Sequence, residues 1–256
     1  MTVMDMIIIL GAGLGAVVVG LVLHRVPATW RPDSESPTAK VLVDLNKTLF
    51  AFVMALSIVS AWGSLKDAQG GSIREANALA DVYWVASVLP DPERSRFQQL
   101  VRDYTKTVVE VEWPAMAERQ TSPEAARLLD TLRHEVNRYT TTGADEVKRR
   151  DTLTAVREAM EERRERVLRL DEGIPDFLWV GLLLSAALIL IMPAFQGGTF
   201  GLSWAMNAFL LGVLVAAPMT LVAELNHPFS GISVTPDAFV KLLGRFDQIT
   251  SIKTAS

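Results

Sequence analysis

The chain has 256 residues, of which 50% are hydrophobic and 21% are charged, with a formal net charge of −4. Because it contains no cysteine, disulfides, thiol nucleophiles and Cys-ligated zinc are excluded. The small net charge excludes the strongly basic character that favours nucleic-acid partners. Four windows lack Asp, Glu, Lys and Arg, and they indicate a multi-pass membrane protein rather than a soluble globule: residues 6–23, 48–63, 177–195 and 202–223.

The first predicted span, Met6–Leu23, is long enough to cross a hydrocarbon core of about 30 Å as a helix. We favour this over a cleaved signal peptide, because basic residues follow the apolar run instead of preceding it. Its glycines imitate a dinucleotide-binding fingerprint, but no strand pattern follows them. The pairs Gly11 with Gly15 and Ala16 with Gly20 have small-xxx-small spacing, which predicts close packing against another helix.

The second predicted span extends from about Val41 to Ser64. Steps of three and four residues along it select one mixed polar and apolar stripe: Asn46, Phe50, Val53, Ser57, Ser60 and Ser64. Repeated around a symmetric oligomer, this stripe would line a pore with a hydrophobic gate and a wet vestibule. Alternatively, the serines pack against neighbouring helices or bond carbonyls four residues back. The sequence leaves both alternatives open.

Gly70-Gly71 follows the second span and can be either a flexible hinge or part of an uninterrupted helix. Directly after the glycines, Ser72 and Glu75 have the spacing of a capping box, and an apolar run that ends before Pro90 follows them. If the glycines are a hinge, Ser72 is the residue that can cap a new helix there.

The segment 66–176 is rich in charge, with 18 Lys+Arg and 22 Asp+Glu, and we predict that it folds as a helical bundle. A helix is expected over about Glu93–Glu112, where apolar residues recur every three or four positions until Pro114. Ser122 begins another helix, and a fourth is expected over about Ala144–Asp171. No alternating strand pattern is found.

The last two spans, Phe177–Phe195 and Leu202–Leu225, are separated by a short link, which predicts a helical hairpin. Glu224 lies at the end of this hairpin. It is either a solvated helix end or a carboxylate that contacts ions.

The fold class predicted is therefore all-α, an integral membrane protein with four transmembrane helices and a cytoplasmic helical bundle inserted between helices 2 and 3. Near the membrane, nine basic residues lie on the side of the bundle and three on the other, which favours cytoplasmic N- and C-termini. The domain boundaries expected are transmembrane helices 1 and 2 (1–65), the bundle (66–176), the transmembrane hairpin (177–225) and a cytoplasmic C-terminal tail (226–256).

Several motifs occur in an order that resembles the bestrophin-like family of bacterial and plant membrane proteins of unknown function. They are Glu-Ala-x-Ala-Leu from residue 75, Glu-Trp-Pro from residue 112 and Pro-Phe-Ser-Gly from residue 228. The residues that carry the resemblance are Glu75, Asn77, Glu112, Trp113, Pro114, Pro228, Phe229 and Gly231. Together they are more specific than any one motif, and they extend over most of the chain.

The resemblance implies a function, because bestrophins are pentameric anion channels whose second span lines the pore. It suggests an oligomeric ion channel in the cell (inner) membrane, with the lipid bilayer, further copies of the chain and ions as partners. No acidic cluster resembles the bestrophin calcium clasp. No catalytic set, cofactor or metal site is predicted. The alternative function is a non-conducting membrane scaffold or sensor whose bundle binds a protein.

Overall fold

The computed structural model describes residues 3–24, 37–139, 141–170, 173–191, 201–226, 229 and 234–254. Within those ranges the regular structure is helical and contains no strand, in agreement with the predicted all-α class. The helices are α1 (Val3–His24), α2 (Pro37–Ala86), α3 (Glu93–Thr107), α4 (Trp113–Ala117), α5 (Pro123–Arg138), α6 (Ala144–Leu168), α7 (Asp176–Ile191), α8 (Leu202–Leu225) and α9 (Asp237–Thr254).

The chain divides into two compact units. The first unit comprises Met1–Gly63 and Ile174–Asn226, and therefore contains α1, α7 and α8. The second unit comprises Ser64–Gly173 and His227–Ser256, and contains α3 to α6 and α9. The helix α2 contributes residues to both.

Helices α1 and α8 of the first unit pack closely at small residues of α1, with the Phe209 ring against Gly13 and the Trp204 ring against Gly20. A Cβ atom at Gly212 would lie 2.8 Å from the Gly13 Cα and 3.0 Å from the Ala16 Cβ, closer than packed atoms tolerate. The predicted packing role of Ala16 is thus confirmed. A Cβ at Gly11 or Gly15 would meet no described atom within 4 Å. The contact therefore uses Gly13 instead of the Gly11 and Gly15 pair.

Three helical segments in the described part of the chain are long and apolar enough to cross a membrane: Met4–Leu23, Lys40–Ala86 and Leu202–Leu225. The helix α7 is apolar but has only 16 residues. Residues 192–195 of the predicted third span lie outside the described residues. The count of four spans therefore stays a prediction.

Helix α2 is continuous over 50 residues, which agrees with the alternative of an uninterrupted helix, and no separate helix begins at Ser72. The Ser72 hydroxyl donates to the carbonyl four residues back, at 3.0 Å. The helix also runs through Gly70-Gly71. A Cβ at Gly71 would lie 2.6 Å from Nη1 of Arg169, which donates to the Asp67 carbonyl oxygen at 2.9 Å. The glycine therefore gives room to an arginine and is not a hinge.

The predicted end of a helix at Pro114 is also wrong, because the winding continues through α4. Between α3 and α4 the chain forms one wider π-helical turn, Val108–Glu112, and the Trp113 N–H donates to the Val108 carbonyl. Proline has no N–H to donate to the carbonyl four residues back. The wider turn accommodates this missing bond without ending the helix.

The core of the second unit is formed by apolar faces of α2, α3, α5, α6 and α9. As predicted, the Ser122 hydroxyl caps α5, accepting a bond from the Ala125 N–H at 3.2 Å. Residues 226–256, expected to be a tail, contain α9, and the rings of its Phe246 and of Tyr83 in α2 stack at 4.2 Å. Fully or nearly fully buried core side chains include Leu79, Val82, Phe97, Val101, Leu132, Val156, Phe239 and Phe246.

Candidate functional site

Four charged side chains and a phenol lie together inside the second unit. We call them the buried charge cluster: Glu75, Tyr104, Glu112, Arg163 and Arg166. The side chains of two carboxylates and one guanidinium in it are 0% exposed. Burying unpaired charge is costly, so the bonds within the cluster determine whether it can exist.

Arg166 is the centre of the cluster and bonds both carboxylates. Its Nε donates to Glu75 Oε2 at 2.6 Å, and its Nη2 donates to Glu75 Oε1 at 3.2 Å. The same Nη2 donates to Glu112 Oε2 at 2.8 Å. One guanidinium therefore joins α2, α6 and the π-helical turn.

The remaining members complete the bonding of the two carboxylates. Tyr104 of α3 donates its hydroxyl to Glu75 Oε1 at 2.5 Å. Arg163 donates from Nη2 to Glu112 Oε1 at 2.5 Å and is 15% exposed. Two guanidinium groups thus balance two carboxylates, and the cluster is electrically neutral.

The sequence of α6 explains why two arginines point inward. Val156, Ala159, Arg163, Arg166 and Leu170 follow each other by three or four positions, which places them on one face of a helix. The face is apolar at both ends, and its central turn holds the arginines. Nothing in the local sequence pattern distinguished Arg166 from a solvated arginine.

Aromatic rings surround the central guanidinium. The Arg166 Cζ lies 5.7 Å from the Trp113 ring centroid and 5.5 Å from that of Phe239. Phe229 packs edge-on against Trp113 at 5.6 Å. These rings exclude water, and their faces attract the cation.

Burial and the carboxylates change the acidity of the cluster. Burial, with the charge of Glu75 next in importance, raises the pKa of Tyr104 well above its usual value. Burial alone would lower the pKa of Arg166, but Glu75, Tyr104 and Glu112 together raise it well above its usual value. The phenol is therefore neutral and the guanidinium charged at neutral pH.

The family of the chain follows from a comparison of its sequence with family models. The model for the bestrophin-like domain matches residues 9–239. The chain belongs to the bestrophin-like family. No match was found among curated proteins or among solved structures.

The structure brings together several of the predicted bestrophin-like motif residues. Glu75 and Glu112 belong to the buried charge cluster, and Trp113 packs against Arg166 and Phe229. Motif residues that are distant in the sequence therefore lie side by side in the folded second unit.

The other motif residues have different positions. Pro114 lies in the first turn of α4. Asn77 is exposed on α2 and lines a cavity of about 390 Å³ between α2 and α9. Pro228 and Gly231 lie outside the described residues.

Several side chains of the predicted pore-lining stripe of this bestrophin-like chain contact other residues of the first unit. Asn46 Nδ2 donates to the Ser185 carbonyl oxygen of α7 at 3.2 Å. Ser57 is 0% exposed, and its hydroxyl donates to the Val53 carbonyl at 2.9 Å. Phe50 packs against an apolar group from α7 and α8. These contacts favour the packing alternative for Asn46, Phe50 and Ser57.

The rest of the stripe is more accessible. Ser60 is exposed, and Val53 and Ser64 are half-buried. Glu224, the proposed ion contact, is half-buried in the last turn of α8 beside Asp5 of α1.

Proposed function

We propose that this bestrophin-like chain is an integral membrane protein whose first unit lies in the lipid bilayer. Large apolar side chains cover the outside of its helices, and Leu14, Phe52, Leu184 and Leu214 are each 62–69% exposed. Water would make such a surface unstable, but the hydrocarbon core would cover it. The second unit, which contains most of the charge-rich segment 66–176, lies in the cytoplasm together with both termini in this proposal.

Its function in this proposal is that of an oligomeric ion channel, selective for anions, in which α2 lines the pore. Family membership and the continuous α2 helix carry the proposal. Copies of the chain surround an axis, five by analogy with bestrophins, and each presents the Val53 and Ser60 edge of the stripe. Phe50 and Ser57 support that edge from inside the subunit.

Ion flux from liposomes tests this function. Purified full-length protein should release chloride, and Val53→Ala should change the rate because it widens the pore at the gate. The matched control is Val59→Ala, an identical substitution on the same helix at a side chain that is 70% exposed and outside the stripe. Flat traces for the wild type would refute conduction, whereas equal effects of both substitutions would refute the assigned pore edge.

A second candidate function is a non-conducting scaffold or sensor whose cytoplasmic bundle binds a protein. The burial of Ser57 and the Asn46 bond to α7 favour it, because both residues then need no pore. This candidate predicts a sealed or lipid-filled centre. Wild-type flux above that of protein-free liposomes, together with sensitivity to Val53→Ala, would exclude it.

A further inference from the structure

A groove of about 620 Å³ lies between α5 and α6 in the second unit. About two turns of α5 and three turns of α6 form its walls, and its apolar lining includes Leu129, Met160 and Val167. The volume is within the range of sites that enclose a small molecule.

Charge distinguishes this groove from the rest of the unit. Its lining contains four arginines and two acids, Asp130 and Glu161, so the local balance is +2. The segment 66–176 as a whole carries 18 basic and 22 acidic residues, a balance of −4. The positive groove is therefore not a consequence of a basic background.

Three of the four arginines of the groove lack the ion pairs that several arginines elsewhere in the unit form. Among the described residues, Arg133, Arg157 and Arg164 form no ion pair with a carboxylate, whereas Arg74, Arg96 and Arg102, for example, each do. These three arginines are exposed, and the groove keeps an excess of positive charge after Asp130 and Glu161 are counted. An anion in the groove would be attracted by that excess and could accept two parallel bonds from a guanidinium.

The fourth arginine connects the groove with the buried charge cluster. Arg163 lines the groove and donates from Nη2 to Glu112. Its Nε is buried and has no hydrogen-bond partner among the described residues. A buried donor without a partner costs free energy, and a small shift of this side chain toward a bound anion would satisfy it.

We propose that the groove between α5 and α6 binds a small oxyanion ligand, with a phosphate or carboxylate group held by Arg157 and Arg164 and an apolar part covering Leu129 and Met160. The site is independent of conduction, since it lies within the second unit.

Calorimetric titration of the full-length protein in detergent, at constant ionic strength, tests the proposal. The probes are inorganic phosphate, phenyl phosphate and benzoate. Saturable binding is expected, and either aromatic probe should bind more tightly than inorganic phosphate because its ring covers the apolar lining. The tighter of the two identifies the preferred oxyanion. If phosphate alone saturates the site, the oxyanion part of the proposal holds and the apolar part is refuted.

The variants Arg157→Gln and Arg164→Gln should each weaken binding about tenfold, the loss expected for a charge-assisted bond. Arg127→Gln is the matched control, because this exposed residue of α5 does not line the groove. Arg164→Lys keeps the charge but cannot donate two parallel bonds. If this variant folds and its affinity lies between those of the wild type and Arg164→Gln, the result supports two parallel bonds from Arg164 to the oxyanion. Absence of saturation with every probe, or equal weakening by Arg127→Gln, would overturn the proposal.

Discussion

Arg166 of α6 and Glu75 of α2 form an ion pair with no exposure to solvent, with 2.6 Å between Nε and Oε2. The two residues are 91 positions apart. The same arginine bonds Glu112 in the π-helical turn. A buried pair of this kind gives little net stability over an apolar replacement, but breaking it leaves an unpaired charge. The cluster therefore constrains how these helices can pack.

The substitution Glu75→Gln should lower the free energy of unfolding by about 3–5 kcal/mol, because two arginines would then share only Glu112. Denaturant unfolding of the second unit, followed by circular dichroism, measures the effect. The control is Glu162→Gln, which removes one of the two carboxylate partners of Arg74, a side chain that is 48% exposed. That pair should contribute less than about 1 kcal/mol. If Glu75→Gln and Glu162→Gln lower the free energy of unfolding equally, the buried charge cluster matters no more to stability than an exposed ion pair, which contradicts this prediction.

Tyr104 should make stability fall at alkaline pH. Its pKa in the folded protein is well above the value of about 10 for an exposed tyrosine. Below about pH 10 the phenol is therefore neutral in both the folded and the unfolded protein. Above about pH 10 only the unfolded state loses the proton, and stability decreases. Unfolding free energies of the wild type and of Tyr104→Phe, compared from about pH 9 to 11, should converge as the pH rises. Parallel curves would show that Tyr104 ionises normally.

The substitution Gly212→Ala should weaken the first unit by about 1–3 kcal/mol, because its Cβ would lie 2.8 Å from the Gly13 Cα and the helices must separate. Thermal unfolding in detergent measures the loss. Gly15→Ala is the matched control, with no described atom within 4 Å of the added Cβ. It should be neutral or slightly stabilising, since alanine favours helix. If Gly15→Ala destabilises the protein as much as Gly212→Ala does, the close contact between α1 and α8 at Gly212 is refuted.

Local features of the sequence were sufficient for part of this fold. The apolar spacing of Phe97, Val101 and Tyr104 predicted one buried face of α3, and Ser122 with the following proline predicted the start of α5. Each signal depends on residues within one or two helical turns. The local signals at Ser72 and Pro114 did not mark helix ends, because the backbone stays helical through both positions.

Features that depend on distant residues could not be predicted in this way. The sequence left open whether Gly71 is a hinge or part of a continuous helix, because its neighbour Arg169 is 98 positions away in the sequence. The burial of Arg166 could not be predicted for the same reason, since its carboxylate partners lie on α2 and in the π-helical turn. The motif residues Glu75 and Glu112 were selected by resemblance, and only the structure revealed the arginine that joins them.

The most direct test of the channel account is block of chloride flux at single introduced cysteines. Because the natural chain contains no cysteine, Val53→Cys and Ser60→Cys each create one reactive thiol on α2. The account predicts that a charged thiol reagent added to liposomes reduces flux through these variants and leaves Phe52→Cys and Val59→Cys unchanged. Block of flux only in Phe52→Cys and Val59→Cys, or no chloride flux through any variant, would contradict the proposal that α2 lines a pore.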